Sequence, residues 1–162
     1  MDLIQNKVCL CIDGNKGTHD TIKMVYKNEM ETEMEVFRLK IKIADDEYIN
    51  KHDYSIMELA IVDLQKQLPE PIQIVCCESC KYGNFCPFGD REDEIFCLRD
   101  YTIHSLEDVI DIFANGPHFS SPEITPTLPV LNANKLLHWC DKYDRISDNY
   151  YTYNDWIVSL ER

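Results

Sequence analysis

Glu35-Val36-Phe37-Arg38-Leu39-Lys40-Ile41-Lys42-Ile43 alternates apolar and polar residues from Phe37 onward. Successive side chains of a strand point to opposite faces, so Phe37, Leu39, Ile41 and Ile43 share one face and Val36, Arg38, Lys40 and Lys42 the other. The first face is apolar enough to pack on a helix. The other is wet, which is the pattern of an antiparallel sheet covered on one side.

Upstream, Val8 to Ile12 reads as a short strand running into Asp13-Gly14 and a turn at Asn15-Lys16-Gly17, and Thr21 to Tyr26 reads as another strand. Three strands in succession predict an antiparallel meander. Downstream, Asp53-Tyr54-Ser55 opens a predicted helix that runs through Leu68 and stops at Pro69, with Ile56, Leu59, Ala60, Val62 and Leu64 as its apolar stripe. Pro71 to Cys77 and Glu94 to Leu98 read as strands. Ser105 caps a helix from Leu106 to Ala114, whose first turn holds Glu107 and Asp108 against the helix dipole. Asn115-Gly116-Pro117 ends it.

Residues 117–129 hold four prolines together with Phe119, Ile124 and Leu128, an irregular but ordered connection. Asn132 to Tyr143 reads as a third helix, with Leu136, Leu137, Cys140 and Tyr143 on one side. The segment from Asn149 to Ile157 is too aromatic to hang free and is expected to pack back. The expected fold is α+β: an antiparallel sheet, three helices and a cysteine-rich hairpin loop over 76–99, in one domain of residues 1–162.

Twenty-nine acidic against 16 basic residues leave a net charge of −13. Such a surface repels phosphate backbones and anionic lipid, which sets aside nucleic acid and membrane as partners. It suits solubility, or steering toward a basic protein. The N-terminus lacks the charged start and apolar run of a signal peptide, and no segment approaches the ~20 apolar residues of a membrane span. A cytoplasmic protein with reduced thiols is expected.

Five of the eight cysteines, Cys76, Cys77, Cys80, Cys86 and Cys97, lie close together in CCESCKYGNFCPFG and the following CLRD. Two residues between Cys77 and Cys80 let one tight turn aim both sulfurs at a single ion. Gly83, Pro87 and Gly89 permit sharp turns beyond it, and Cys86 and Cys97 complete a set of four thiolates. Zinc suits that set: it accepts sulfur, tetrahedral geometry and a closed, structural site. His104 is an alternative to Cys86 as ligand, although a histidine just before a helix cap is ordinarily solvent-exposed. A thiolate set also serves iron–sulfur clusters, and unliganded thiols pack as small apolar groups. Cys76, beside Cys77 on a strand, points the other way and is expected in the core.

A redox pair at Cys77 and Cys80 is the alternative chemistry. It calls for a helix N-terminus to lower the attacking thiol's pKa, whereas Lys81-Tyr82-Gly83-Asn84 reads as a turn. Cys9 and Cys11 share a strand face and read as core thiols. Trp139 and Cys140 read as core residues of a helix. Glu29, Glu31, Glu33 and Glu35 form one acidic strip and Asp90, Glu92, Asp93 and Glu94 another, each a solvated face or a surface for a basic partner. No nucleotide loop, HExxH motif or nucleophile elbow is present.

The stretch from Cys77 to Gly89, with Cys97-Leu98-Arg99 after it, resembles a segment of small uncharacterised bacterial proteins with a Cys-x-x-Cys, Pro-x-Gly, Cys core. That group has no established activity, so the resemblance implies no catalytic residue. The acidic composition is also similar to that of toxin-neutralising immunity proteins. Together these readings predict a non-enzymatic, acidic, cytoplasmic protein acting through protein contacts, with a structural zinc loop. The alternative is a thiol redox protein or enzyme using Cys77 and Cys80.

Overall fold

The computed structural model describes residues 2–27, 35–89, 94–115, 132–147 and 149–161. Along the chain run β1 (Asp2–Ile12), β2 (Asn15–Lys27), β3 (Glu35–Ile43), β4 (Asp46–Ile49), α1 (Met57–Gln67), β5 (Gln73–Val75), β6 (Gly83–Asn84), β7 (Glu94–Cys97), α2 (Leu106–Asn115), β8 (Asn132–Lys135) and α3 (Trp156–Glu161). The fold is α+β, with antiparallel sheets and three helices. Its contacts gather into two compact units, residues 1–76 with 156–162, and residues 77–155.

The first unit is built on a five-stranded antiparallel sheet in the order β4-β3-β2-β1-β5. The predicted meander is present and extends to β4. Asp13 and Gly14, both at positive φ, form the tight turn between β1 and β2. A two-residue turn of that hand matches the twist of the flanking strands. It therefore displaces the turn expected at Asn15-Lys16-Gly17, and those residues begin β2 instead. In β3, Phe37, Leu39 and Ile41 are buried, and α1 packs on that strand.

The helix expected from Asp53 starts only at Met57, with Ile56 at its N-cap and no side-chain cap. Tyr54 is occupied elsewhere: it exchanges backbone hydrogen bonds with Phe37, donating at 3.4 Å and accepting at 2.6 Å. An extended residue cannot also lie in a helix. The Gln65 carboxamide ties α1 to the β5 segment, accepting from the Ile74 N–H (2.7 Å) and donating to the Ile72 carbonyl (3.0 Å). Cys76 is fully buried, as expected of a core thiol, and so is Cys9.

The second unit has a three-stranded antiparallel sheet in the order β6-β7-β8 and the helix α2. Its apolar cluster comprises Phe96, Leu98, Ile103, Val109 and Phe113. The rings of Phe96 and Phe113 meet edge to face at 4.9 Å, the geometry aromatic quadrupoles favour. α2 begins where Ser105 predicts. The Asp108 carboxylate accepts from the His104 and Ser105 N–H groups (2.7 and 3.1 Å), and the Ser105 hydroxyl accepts from the Asp108 N–H (3.4 Å), a reciprocal cap.

The helix predicted over Asn132–Tyr143 does not form. Asn132–Lys135 pairs with Glu94–Cys97 as β8, and turns follow. Asparagine at 132 and 134 is a weak helix former, and without β8 the backbone of β7 would lack partners on one side. The third helix is instead α3, at the end of the aromatic segment expected to pack back, where Trp156 is buried. The acidic residues at 29, 31 and 33, those at 90, 92 and 93, and the proline-bearing connection lie outside the described residues.

Candidate functional site

The cysteine loop is assembled by backbone hydrogen bonds. The Cys80 N–H donates to the Cys77 carbonyl (3.3 Å) and the Gly83 N–H to the Cys80 carbonyl (2.9 Å), giving two successive turns. One side of this loop lies along residues 138–146. The Cys77 N–H donates to His138 (2.7 Å), the Lys81 N–H to Asp144 (2.9 Å) and the Ile146 N–H to the Ser79 carbonyl (3.3 Å), so that Cys80 bridges to Arg145. On the other side Gly83 pairs with Cys97, and the Leu98 N–H donates to the Tyr82 carbonyl (2.8 Å).

Gly83 has to be glycine for this closeness. A Cβ there would collide with the Cys77 carbonyl oxygen and stand 2.9 Å from the Ile95 side chain. Next to it Asn84 is wholly buried and holds the tail of the unit. Its side-chain oxygen accepts from the Tyr153 N–H (2.7 Å), and its amide donates to the Tyr82 carbonyl (3.2 Å). Asn154 in turn donates to the Glu78 carbonyl (2.6 Å).

Cys80 is buried, whereas Cys77, Cys86 and Cys97 are half-buried. Burial pushes the Cys80 thiol up, against hydrogen bonds from the Asp144 and Tyr82 backbone, and the nearby Cys97 and Cys140 thiols push in the same direction as burial. Cys97 and Cys140 are thus the thiols near Cys80. Cys86 instead packs against the apolar cluster of Phe96, Leu98, Ile103, Val109 and Phe113. His104 is exposed at the cap of α2. Among the described residues, no group of three or more His, Cys, Asp or Glu side chains is arranged to hold a metal ion.

The approach of Cys140 was not visible in a helical reading of residues 132–143. It follows from the turn after β8, where the His138 N–H donates to Lys135 (2.9 Å) and the Tyr143 N–H to Cys140 (3.2 Å). The available signal was compositional: Cys140 is the remaining cysteine between Cys97 and the end of the chain.

A second feature of this unit is an open cleft of about 560 Å³. Tyr101, Tyr150 and Tyr151 line it, with Thr102, His104 and Asn149. Burial pushes all three phenols up, Asp100 adding to the effect at Tyr101 and Glu107 at Tyr151. Lys81 stands 5.3 Å from the Tyr150 ring centre and 5.0 Å from that of Tyr82, and pairs with Asp144 at 2.5 Å. Tyr150 and Tyr82 meet edge to face at 6.0 Å. The sequence marks Tyr150 and Tyr151 as part of a segment that packs back and gives no signal for Tyr101, because residues 101–104 and 149–151 meet only in the folded unit.

No protein-family model matches the chain, and no curated protein matches it. Among the described residues, no helix is long and apolar enough to cross a membrane.

Proposed function

We propose that this is a non-enzymatic cytoplasmic protein that works by binding a basic protein partner through its acidic surface. The observation that carries this reading is charge. From Cys77 to Asp155 there are fourteen Asp and Glu against six Lys and Arg. Asp100, Glu107, Asp111, Asp141, Asp144 and Asp155 of that unit are exposed. Excess charge of one sign speeds encounter with the opposite sign and selects against acidic partners. The non-redox side of the proposal is supported by Cys80, whose thiol is pushed up by burial, whereas an attacking thiol needs a lowered pKa. A toxin of basic character is one such partner. Titrating a labelled arginine-rich peptide into the full chain at ~20 mM and ~300 mM salt tests the reading, since exposed charges are screened over about a Debye length. Binding at low salt that weakens at least tenfold at high salt supports it; no binding at low salt overturns it.

A second reading keeps structural zinc on the cysteine loop, and what favours it is the nearness of Cys97 and Cys140 to Cys80 in the folded unit, since soft thiolate ligands suit zinc. The reading draws on Cys77, Cys80, Cys97 and Cys140, with Cys86 left in the apolar cluster, and it requires these side chains to turn toward a common centre. Metal analysis of purified protein tests it. One zinc per chain that is lost in Cys140→Ser and kept in Cys86→Ser supports it; metal-free, folded protein overturns it.

A further inference from the structure

Hydrogen-bond direction runs in step across the sheet of the first unit. The Leu39 N–H donates to the Asn50 side-chain oxygen (2.5 Å), its carbonyl accepts from the Asn50 N–H (3.2 Å), and Phe37 exchanges both its groups with Tyr54. Phe37, Leu39 and Ile41 therefore turn their backbone groups away from β2. Alternate residues of an antiparallel strand bond to opposite sides, so Val36, Arg38 and Lys40 bond to β2. The pairing from β3 to β2 and from β2 to β1 is residue for residue, with no bulge. Tyr26, Met24 and Ile22 thus face β3, Val25, Lys23 and Thr21 face β1, and their partners Asp2, Ile4 and Asn6 face β2. Leu3, Gln5, Lys7, Cys9 and Cys11 are left pointing outward. Cys9 and Cys11 meet β5 there, opposite Val75 and Gln73. Among the described residues, no strand lies beside Leu3, Gln5 and Lys7 on that side.

We infer that this open edge of β1 is a dimer interface, on which a second copy of the chain lays its own β1 antiparallel. Both members of a hydrogen-bonded pair have to be outward residues, which fixes the register. With Gln5 opposite the copy's Gln5, Leu3 meets the copy's Lys7 and Lys7 the copy's Leu3, so the outward residues of both strands are all used. Moving the two-fold axis to Ile4 puts Lys7 opposite Met1, outside the described residues. Moving it to Asn6 puts Leu3 opposite Cys9, which already pairs with β5. In the Gln5 register the copy's Asp2 falls opposite Val8, one residue short of the place β5 takes. Edges are ordinarily guarded by proline, bulges or charge. Asp2–Val8 has no proline and no bulge, and its charges, Asp2 and Lys7, cancel. Across the seam Lys7 faces Leu3 and Asp2 faces Val8, so no like charges oppose each other. A copy suits this edge better than a free peptide because its β1 is already extended against β2, so little ordering entropy is lost on pairing. Two-fold pairing also closes the open edge of both chains at once. The inference does not depend on the basic-partner reading.

Sedimentation equilibrium of the full chain at ~300 mM salt, where repulsion between two chains of net charge −13 is screened, tests it. Expected is a concentration-dependent rise from 19.0 kDa to twice that mass. Gln5→Pro removes an N–H that points only to the seam, a change edge strands tolerate. Gln5→Lys sets two like charges face to face on the two-fold axis. Each should weaken the dimer about tenfold or more. Thr18→Lys, the same charge change at an exposed β2 position, should alter it less than about twofold. A readout independent of any variant's folding comes from mixing isotope-labelled with unlabelled wild type: Ile4 Hα and the copy's Asn6 Hα, a non-hydrogen-bonded pair, should show an interchain contact. A chain that stays at 19.0 kDa up to ~1 mM overturns the inference. So does a dimer that both Gln5 variants leave intact, or one whose interchain contacts avoid β1.

Discussion

Replacing Gly83 with alanine tests how the cysteine loop is held. On the backbone as it stands, the added methyl meets the Cys77 carbonyl oxygen head-on and lies 3.0 Å from that carbonyl's carbon and 2.9 Å from Ile95 Cδ1. The first obstacle is backbone, itself anchored by the Cys80 N–H (3.3 Å), so no side-chain rotation relieves it. Either the Cys77 turn or β6 must shift by a large fraction of an ångström. That movement strains the bonds in which the Gly83 carbonyl accepts from the Thr152 hydroxyl (2.8 Å) and the Asn154 amide (3.2 Å). Overpacking of this kind costs ~1–3 kcal/mol, and each bond lost adds about 1 kcal/mol. A total near 3 kcal/mol corresponds to roughly two decades in an opening equilibrium. Hydrogen exchange at the amides of Leu98, Phe85 and Tyr153, each bonded within this loop, reads that equilibrium residue by residue. Exchange there should accelerate about a hundredfold. Gly14→Ala is the control: it has open space but φ of +81°, so it costs about 1 kcal/mol at the β1–β2 turn and leaves those amides unchanged. If Gly83→Ala exchanges within about threefold of wild type, the tight-loop account of Gly83 is wrong.

Ser105→Ala should destabilise by about 1 kcal/mol and Asp108→Ala by roughly as much or more, because the carboxylate accepts two N–H bonds at the start of α2; urea midpoints of the two variants measure this. Stability should also fall as pH rises from 8 to 10. Burial raises the Cys9 thiol above its ordinary value of about 9, so in that window the unfolded chain loses a proton that the folded chain keeps. This contribution is fully present below the ordinary thiol pKa and declines above it. Cys9→Ala should flatten the fall in a pH series of unfolding midpoints, and an unchanged slope would count against a buried Cys9.

Much of both units was legible in short-range pattern. The alternation from Phe37 to Ile43 needs no distant partner to declare a strand, and Ser105 with Asp108 marks a helix start from local hydrogen bonding alone. Tyr54 and residues 132–143 were misread for one reason: their backbone groups are satisfied by strands remote in sequence, Phe37 for the first and Glu94–Cys97 for the second. Local propensity loses to such pairing.

The sequence by itself determined the α+β class, the acidic surface and the cysteine-rich loop, because composition and period-two alternation act over a few residues. Tertiary structure decided which cysteines are neighbours. Cys86, only six residues from Cys80, packs into the apolar cluster, while Cys140 comes to Cys80 from the far side of β8. It likewise brought Tyr101 together with Tyr150 and Tyr151 in one cleft. Spacing along the chain limits what a local turn can reach; only the pairing of β6, β7 and β8, and the residues they carry with them, sets what meets across it.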